Sequence, residues 1–434
     1  MIRKIICVSF LLFFGGVGCF AQECLTIGQL FERVEQNSKD LQVQKTALEV
    51  AQREIEIARN GRLPDINAQL SLSYIGNALL ADRNFSNLQK QTSPHYGNNF
   101  ALDAKQVVYA GGAVNASIEL ARLGMQQAEA GGRLTRQQAC FIALGQYLEL
   151  FKIDNGLKVY GKNIKLTEQL IAEIKAKQQQ GMALKNDITR YELQLESLKL
   201  GQATLRNNRS IINHQLCNTL GMEQDVWITP DTTLCERTYG KEGEAYWQQH
   251  SAANSPLMEQ STLNVDMAQQ KEKIAKSELL PKVALVAVDN LNGPITFELP
   301  PVDKNLNIWY VGIGVDYNFS SLFKSSRRVK QAALETRQAR EQHALQVEHL
   351  NNSVQQAYVQ YLQTYTELEI QQKSVELARQ NYDVVNARYL SQLDLVTAMV
   401  DASNLRLNAE LQEVDARINI VYAYYRLKYV AGEI

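Results

Sequence analysis

Proline is scarce in this 434-residue chain. The eight prolines stand at 64, 94, 230, 256, 281, 294, 300 and 301, so residues 95–229 and 302–434 contain none. Proline-free stretches of that length, rich in Ala, Gln, Glu, Leu and Lys, are expected to be helical. Histidine is rarer still, at five residues, and the six cysteines show no CxxC spacing, which argues against a metal site. His343 and His349 are off the i, i+4 spacing of a helical metal pair. The "GIGVDY" run at 312–317 lacks the third glycine of a dinucleotide loop. No catalytic spacing and no cofactor motif stands out, so the chain reads as something other than an enzyme. An excess of one charge is missing too. With 45 Lys and Arg against 46 Asp and Glu, no concentrated basic face suggests nucleic acid as a partner.

Long hydrophobic runs are confined to the start. Arg3 and Lys4 precede the apolar run Ile5–Phe14, and "CFA" ends in the small residue Ala21. This is the pattern of a secretory signal peptide over residues 1–21, and it predicts export. An alternative takes Cys19 in "GGVGC" as a lipidated cysteine, although Gly16 stands where such a box usually carries Leu. Without Arg3 and Lys4 the mature chain holds 43 basic and 46 acidic residues, a net charge of −3. Past the leader there is no apolar run long enough for a transmembrane helix. Cys217 and Cys235 flank a short loop and could pair in an oxidising compartment, or remain buried free thiols.

What the chain does contain is a repeat. "NSKDLQVQKTALEVAQREIEIARNGRLPDI" (37–66) aligns without a gap to "NSPLMEQSTLNVDMAQQKEKIAKSELLPKV" (254–283), with Asn-Ser, Ala-Gln, an Ile-Ala pair and Leu-Pro in common. After each Leu-Pro come a strand-like run, a loop, a second strand-like run and a long helix. The expected long helices, from about Ala113 to Gln180 and from Ser326 to Leu390, would each span about 100 Å at a rise of about 1.5 Å per residue. The halves close on "LCNTLG" (216–221) and "LKYVAG" (427–432). Periodic self-similarity outranks local propensity as a guide to architecture. The expected division is a leader over 1–21, a first repeat over 22–221, an irregular linker over 222–250 and a second repeat over 251–434.

Two stretches alternate cleanly. In "PDINAQLSLSY" (64–74), Ile66, Ala68, Leu70, Leu72 and Tyr74 share one face and Asn67, Gln69, Ser71 and Ser73 the other. In "WYVGIGVDYNF" (309–319), Trp309, Val311, Ile313, Val315, Tyr317 and Phe319 share a face. Period-2 alternation means strand. Such strands could form a small soluble sheet packed on helices. Their length, close to the 9–11 residues of a tilted membrane strand, and their terminal aromatics point instead to a membrane barrel. An exported chain without a transmembrane helix enters a bilayer only as a closed barrel. Four strands are too few to close one, so several chains would have to share it.

With that order and spacing, the sequence resembles the TolC-like outer-membrane efflux and secretion channels over essentially the whole mature chain. The resemblance rests on the duplicated strand–loop–strand and long-helix order, the Leu-Pro before each first strand, and helix breaks at Gly181 and Ser391 placed 40 and 41 residues before Gly221 and Gly432. It implies a mainly helical fold with a membrane β-barrel portion. In a homotrimer, four strands per chain would form a shared twelve-stranded barrel, continued by a long helical barrel in the periplasm. It also implies a passive duct in the outer-membrane lipid, opened at its periplasmic helix turns. Its partners would be a periplasmic adaptor and an inner-membrane pump of the resistance-nodulation-division or ABC type. The family's Gly with an acidic residue six positions later is met by Gly181 and Asp187 in "GMALKND". The second half departs from it, with Ser391 in place of Gly and Asp394 and Asp401 as rival acidic positions. Asp187, Asp394 and Asp401 are the candidates for carboxylate rings at the narrow end, where such rings favour cations. Asp before an apolar run is equally a common helix cap. Lys185 and Gln392 are candidate adaptor contacts. The competing class is a non-pore periplasmic coiled-coil scaffold, which would leave the strands soluble.

Overall fold

In a computed structural model, residues 22–240, 242–391 and 393–434 are described. The candidate leader, Cys19 and Gln392 lie outside them. The chain divides into two compact units: one takes in the residues up to Gln42, Thr135–Ser255 and Leu350–Ile434, the other Val43–Leu134 and Pro256–His349.

In chain order the elements of the first half are β1 (Gln22–Leu25), α1 (Ile27–Asn37), α2 (Lys39–Asn60), β2 (Asp65–Tyr74), a short hairpin β3 (Ala78–Leu80) and β4 (Gln89–Gln91), β5 (Tyr96–Ala110), α3 (Ala113–Gln179) and α4 (Lys185–Leu220). Next come β6 (Trp227–Pro230) and a 3-10 turn (Thr232–Glu236). The second half has α5 (Glu244–Asn254), α6 (Pro256–Ser277), β7 (Lys282–Gly293), β8 (Leu306–Asp316), α7 (Ser321–Leu390) and α8 (Val396–Ala431). Both proline-free spans thus carry a very long helix, α3 of 67 residues and α7 of 70.

The unit built on Thr135–Ser255 holds the larger core. Leu30, Val34, Leu144, Tyr147, Leu216, Leu220, Ile228 and Val421 are buried together. Thr26 and Gln29 form a capping box that starts α1, satisfying donors that a helix N-terminus leaves open. The segment between the halves is more ordered than its composition suggests. β6 pairs in parallel with β1. The buried Tyr147 hydroxyl donates to Leu25 O and accepts from Asp231 N, tying β1 to the residue after β6. Arg209, 3% exposed, reaches Asp154 at 2.6 Å, donates to Ile228 O and lies over the Trp227 ring. Cys217 is buried and Cys235 half-buried, and both are free thiols.

The closing glycines explain part of the repeat. Gly221 and Gly432 end α4 and α8 in the left-handed conformation, at φ 64° and 81°. A Cβ on Gly221 would fall 2.7 Å from Asn37, and one on Gly432 2.6 Å from the carbonyl oxygen of Asn254. Asn37 and Asn254 are the asparagines of the two aligned Asn-Ser pairs. Each half therefore closes its last helix against its own asparagine.

The other unit carries one antiparallel sheet of order β2-β5-β7-β8, with β2 and β8 as unpaired edges. Gly111 and Gly112, both at positive φ, turn the chain from β5 into α3. In the same unit, Leu123, Ala130 and Leu263 form a small core between α3 and α6.

Candidate functional site

Two regions hold the residues singled out from the sequence. The first is the sheet. Its register places one row across all four strands at Ile66, Ala104, Ala287 and Val311. The next rows are Ala68, Leu102, Asp289 and Trp309, then Leu70, Phe100, Leu291 and Asn307. The apolar faces read separately from residues 64–74 and 309–319 are thus one continuous face of one sheet. Ile66, Leu70, Leu72, Tyr74, Trp309, Val311, Ile313 and Val315 are 64–78% exposed, so among the described residues nothing covers that face. Asp289 interrupts it and accepts a hydrogen bond from Asn307 at 2.7 Å. Tyr317 corrects the expectation: β8 ends at Asp316, and Tyr317 packs edge-on against Phe319 in the turn before α7. Alternation alone could not mark that end, because the aromatic spacing runs on past the last ladder bond.

The second region is the pair of helix turns between α3 and α4 and between α7 and α8. At the first, Gly181 sits at φ 75°, and Met182 N–H donates to Lys177 O at 2.9 Å. Asp187 then accepts from Leu184 N–H at 3.1 Å and caps α4. At the second, Leu393 N–H donates to Arg388 O at 2.8 Å and the Ser391 hydroxyl to Ala387 O at 2.9 Å. The Ser391 N–H also bonds Ala387 O, at 3.1 Å, and Leu393 N–H reaching back to Arg388 closes the end of α7. The Arg388 guanidinium grips Asp394 with two hydrogen bonds, at 2.7 and 3.0 Å, the fork geometry that suits a carboxylate.

Beneath the turns lies a core of Ile171, Ile174, Ile188, Tyr191, Tyr382, Val396 and Met399. The Tyr191 ring lies 6.3 Å from that of Tyr389, and its buried hydroxyl has no partner. Burial, reinforced by the Asp187 charge, pushes the Tyr389 phenol up to about 12. A cavity of about 430 Å³ is lined by Lys177, Gly181, Met182, Leu184, Asp187, Tyr389 and Asp394. The structure therefore brings Asp187 and Asp394 to one site. Asp401 lies along α8, exposed, and does not line it; Lys185 opens α4, also exposed. Sequence reasoning missed Arg388, Tyr389 and Lys177; the only signal was a basic residue six positions before Asp394. Met182, Leu184, Leu393 and Leu395 stand 50–75% exposed around the turns.

Among the described residues no helix is long and apolar enough to cross a membrane, and no cluster of metal-binding side chains occurs. The sequence matches the outer membrane efflux protein family over residues 30–222 and 247–433. No curated protein matches it closely enough to count as a relative. Among solved structures, the fold is similar to the outer membrane protein VceC from Vibrio cholerae, with a TM-score of 0.76 at 14% identity, covering 94% of this chain and 96% of that one. It is also similar to CusC, described in connection with transmembrane channel formation, with a TM-score of 0.79 at 12% identity, covering 94% and 92%. The open-state MtrE outer membrane channel of Neisseria gonorrhoeae gives 0.73 at 14% identity, covering 94% and 88%.

Proposed function

The chain belongs to the outer membrane efflux protein family, and from that premise we propose that three copies form a passive duct serving a tripartite efflux pump or a type I secretion system. As a family member it is an outer-membrane channel protein that extends into the periplasm. The observation that carries the trimer is the sheet: four strands, two open edges and one uncovered apolar face. Open edges inside a bilayer leave backbone groups unpaired, and only closure removes that cost. Three sheets joined β8 to β2 give twelve strands, with the Ile66–Val311 face toward lipid. Helix faces support the same assembly. Val43, Val50 and Ile57 of α2, and Ile370, Leu377 and Val384 of α7, recur every seven residues and are all more than half exposed. A sustained seven-residue apolar stripe needs a partner helix.

In this reading the helix turns form the periplasmic aperture. Asp187 and Asp394, tripled by symmetry, line it with carboxylates, and the Arg388–Asp394 grip holds the second turn until an adaptor and a pump engage. Lys185, Ser391 and the exposed leucines around them are the docking side. The halves 22–221 and 251–434 act as equivalent modules joined by 222–250. The test is fractionation followed by conductance. Recovery in the detergent-resistant outer-membrane fraction, a cross-linked trimer and cation-selective pores in planar bilayers are expected. Release into a detergent-free periplasmic extract would leave only the scaffold reading.

A further inference from the structure

The face of the sheet opposite the apolar one is not uniformly polar. Its rows are Asp65, Lys105, Val286 and Gly312; Asn67, Asp103, Val288 and Tyr310; Gln69, Ala101, Asn290 and Ile308; and Ser71, Asn99, Asn292 and Leu306. On β2 and β5 this face carries amides, hydroxyls and charges. On β7 and β8 it carries Val286, Val288, Ile308 and Tyr310, with Ile308 and Tyr310 still 56% and 54% exposed. A sheet that only had to present one wet face would alternate on all four strands. The β7–β8 pair instead carries a run of apolar residues, Val286, Val288, Ile308 and Tyr310, on its second face too.

We infer that Val286, Val288, Ile308 and Tyr310, together with the Asp103 carboxylate, form a binding stripe for amphiphilic organic cations on the wet side of the barrel. This rests on the duct reading, which puts this face toward the lumen. Charge fixes the sign of the ligand. Asp65, Asp103 and Asp316 face Lys105 and Lys282 here, and register sets Lys105 opposite Asp65 and Lys282 opposite Asp316. Carboxylates thus outnumber ammoniums on this face by three to two, and Asp103 is the carboxylate whose cross-strand neighbours, Asn67 and Val288, carry no charge. Geometry fixes the shape of the ligand. Asp103 and Tyr310 share a row two strands apart, about 10 Å at a strand spacing of about 4.8 Å. An ammonium at Asp103 would then lay an apolar body over Val288 toward the Tyr310 ring, whose face also attracts cations. Neutral apolar solutes lack the first contact and small hydrated cations the second.

The experiment is photolabelling of the purified protein with a benzophenone-bearing quaternary ammonium, with adducts mapped residue by residue. Neighbouring residues of β8 lie on opposite faces, so the adduct position reads the face directly. Adducts at Ile308 and Tyr310 are expected, competed by tetrabutylammonium and not by tetramethylammonium at equal concentration. Asp103→Asn should lower their yield about fivefold, the order set by losing one exposed charge pairing. Ile308→Ser with Tyr310→Ser should abolish the advantage of the tetrabutyl ion. Adducts confined to Trp309 and Val311 would mean partition into detergent and overturn the proposal, as would a yield unaffected by Asp103→Asn. Cross-linked trimer and planar-bilayer conductance without the probe check that each variant folds. Pores without wet-face adducts would sink the stripe alone, whereas no pores at all would sink the duct and the stripe with it.

Discussion

Arg388 and Asp394 stand six positions apart in sequence and meet through two hydrogen bonds because α7 ends between them. That pair was not legible in the sequence, since the geometry exists only once the turn has formed. Asp394 was legible as a candidate, and the cavity beside Asp187 is lined by Asp394 and not by its rival Asp401. Gly181 was readable because a left-handed helix end is what glycine supplies there. Ser391 was readable only as the residue at the matching place in the second half, where α7 does end, at Leu390. Arg388→Ala removes a half-exposed pair worth on the order of 1 kcal/mol or less, so single-channel conductance should rise by no more than several-fold. Unchanged conductance would mean that the pair does not restrain the turn. Asp187→Asn with Asp394→Asn should lower cation selectivity in a reversal-potential measurement, and an unaltered reversal potential would remove both from the aperture.

Tyr147 offers a test in the other core. Burial pushes its phenol up to about 12, above the free value of about 10. The folded state thus favours the neutral phenol. That contribution is fully present below pH ~10 and is lost as pH climbs toward ~12. Thermal melts should show an alkaline loss of stability in that window, and Tyr147→Phe should lessen it by one group's share, the buried Tyr191, Tyr239 and Tyr361 keeping theirs, while lowering stability at neutral pH through the lost bonds to Leu25 and Asp231.

Among elements, the long helices were plain from missing proline, and two of the four main strands from clean alternation. β5 and β7 were noisier, and the register shows why for β7: both its faces carry apolar residues. β6 was hidden because four residues hold too little pattern, and its partner β1 lies more than two hundred positions earlier. The strand faces make a sharp prediction. Leu70 is on the uncovered apolar face and Gln69 on the opposite one, so Leu70→Arg should cost about 2–4 kcal/mol near the bilayer midplane and Gln69→Arg little. Heat-modifiable mobility after membrane insertion reads the difference, and a larger loss from Gln69→Arg would turn the sheet inside out. At the helix ends, Gly432→Ala forces a left-handed alanine, a cost of about 1–2 kcal/mol before its close approach to Asn254 is counted. A lower melting temperature of the detergent-solubilised protein is the expected result.

At the scale of the molecule, assembly is the property the sequence implied most indirectly. It followed from counting strands, and the structure adds the surfaces, two open sheet edges and apolar stripes on α2 and α7. Val50→Asp sets a charge in the middle of one stripe and should shift the cross-linked population from trimer toward monomer, without changing the helical circular dichroism of the chain.

The matched contacts of Gly221 with Asn37 and of Gly432 with Asn254 reach beyond stability. Each half-chain locks its own last helix in the same way, and in the proposed trimer three chains of two such halves would make a ring of six near-equivalent positions. The threefold symmetry of that trimer would then be sixfold symmetry with every second joint covalently fused. Cutting that joint need not break the ring. Chains divided near residue 241 and produced together as two fragments should still co-purify as one complex from the outer membrane.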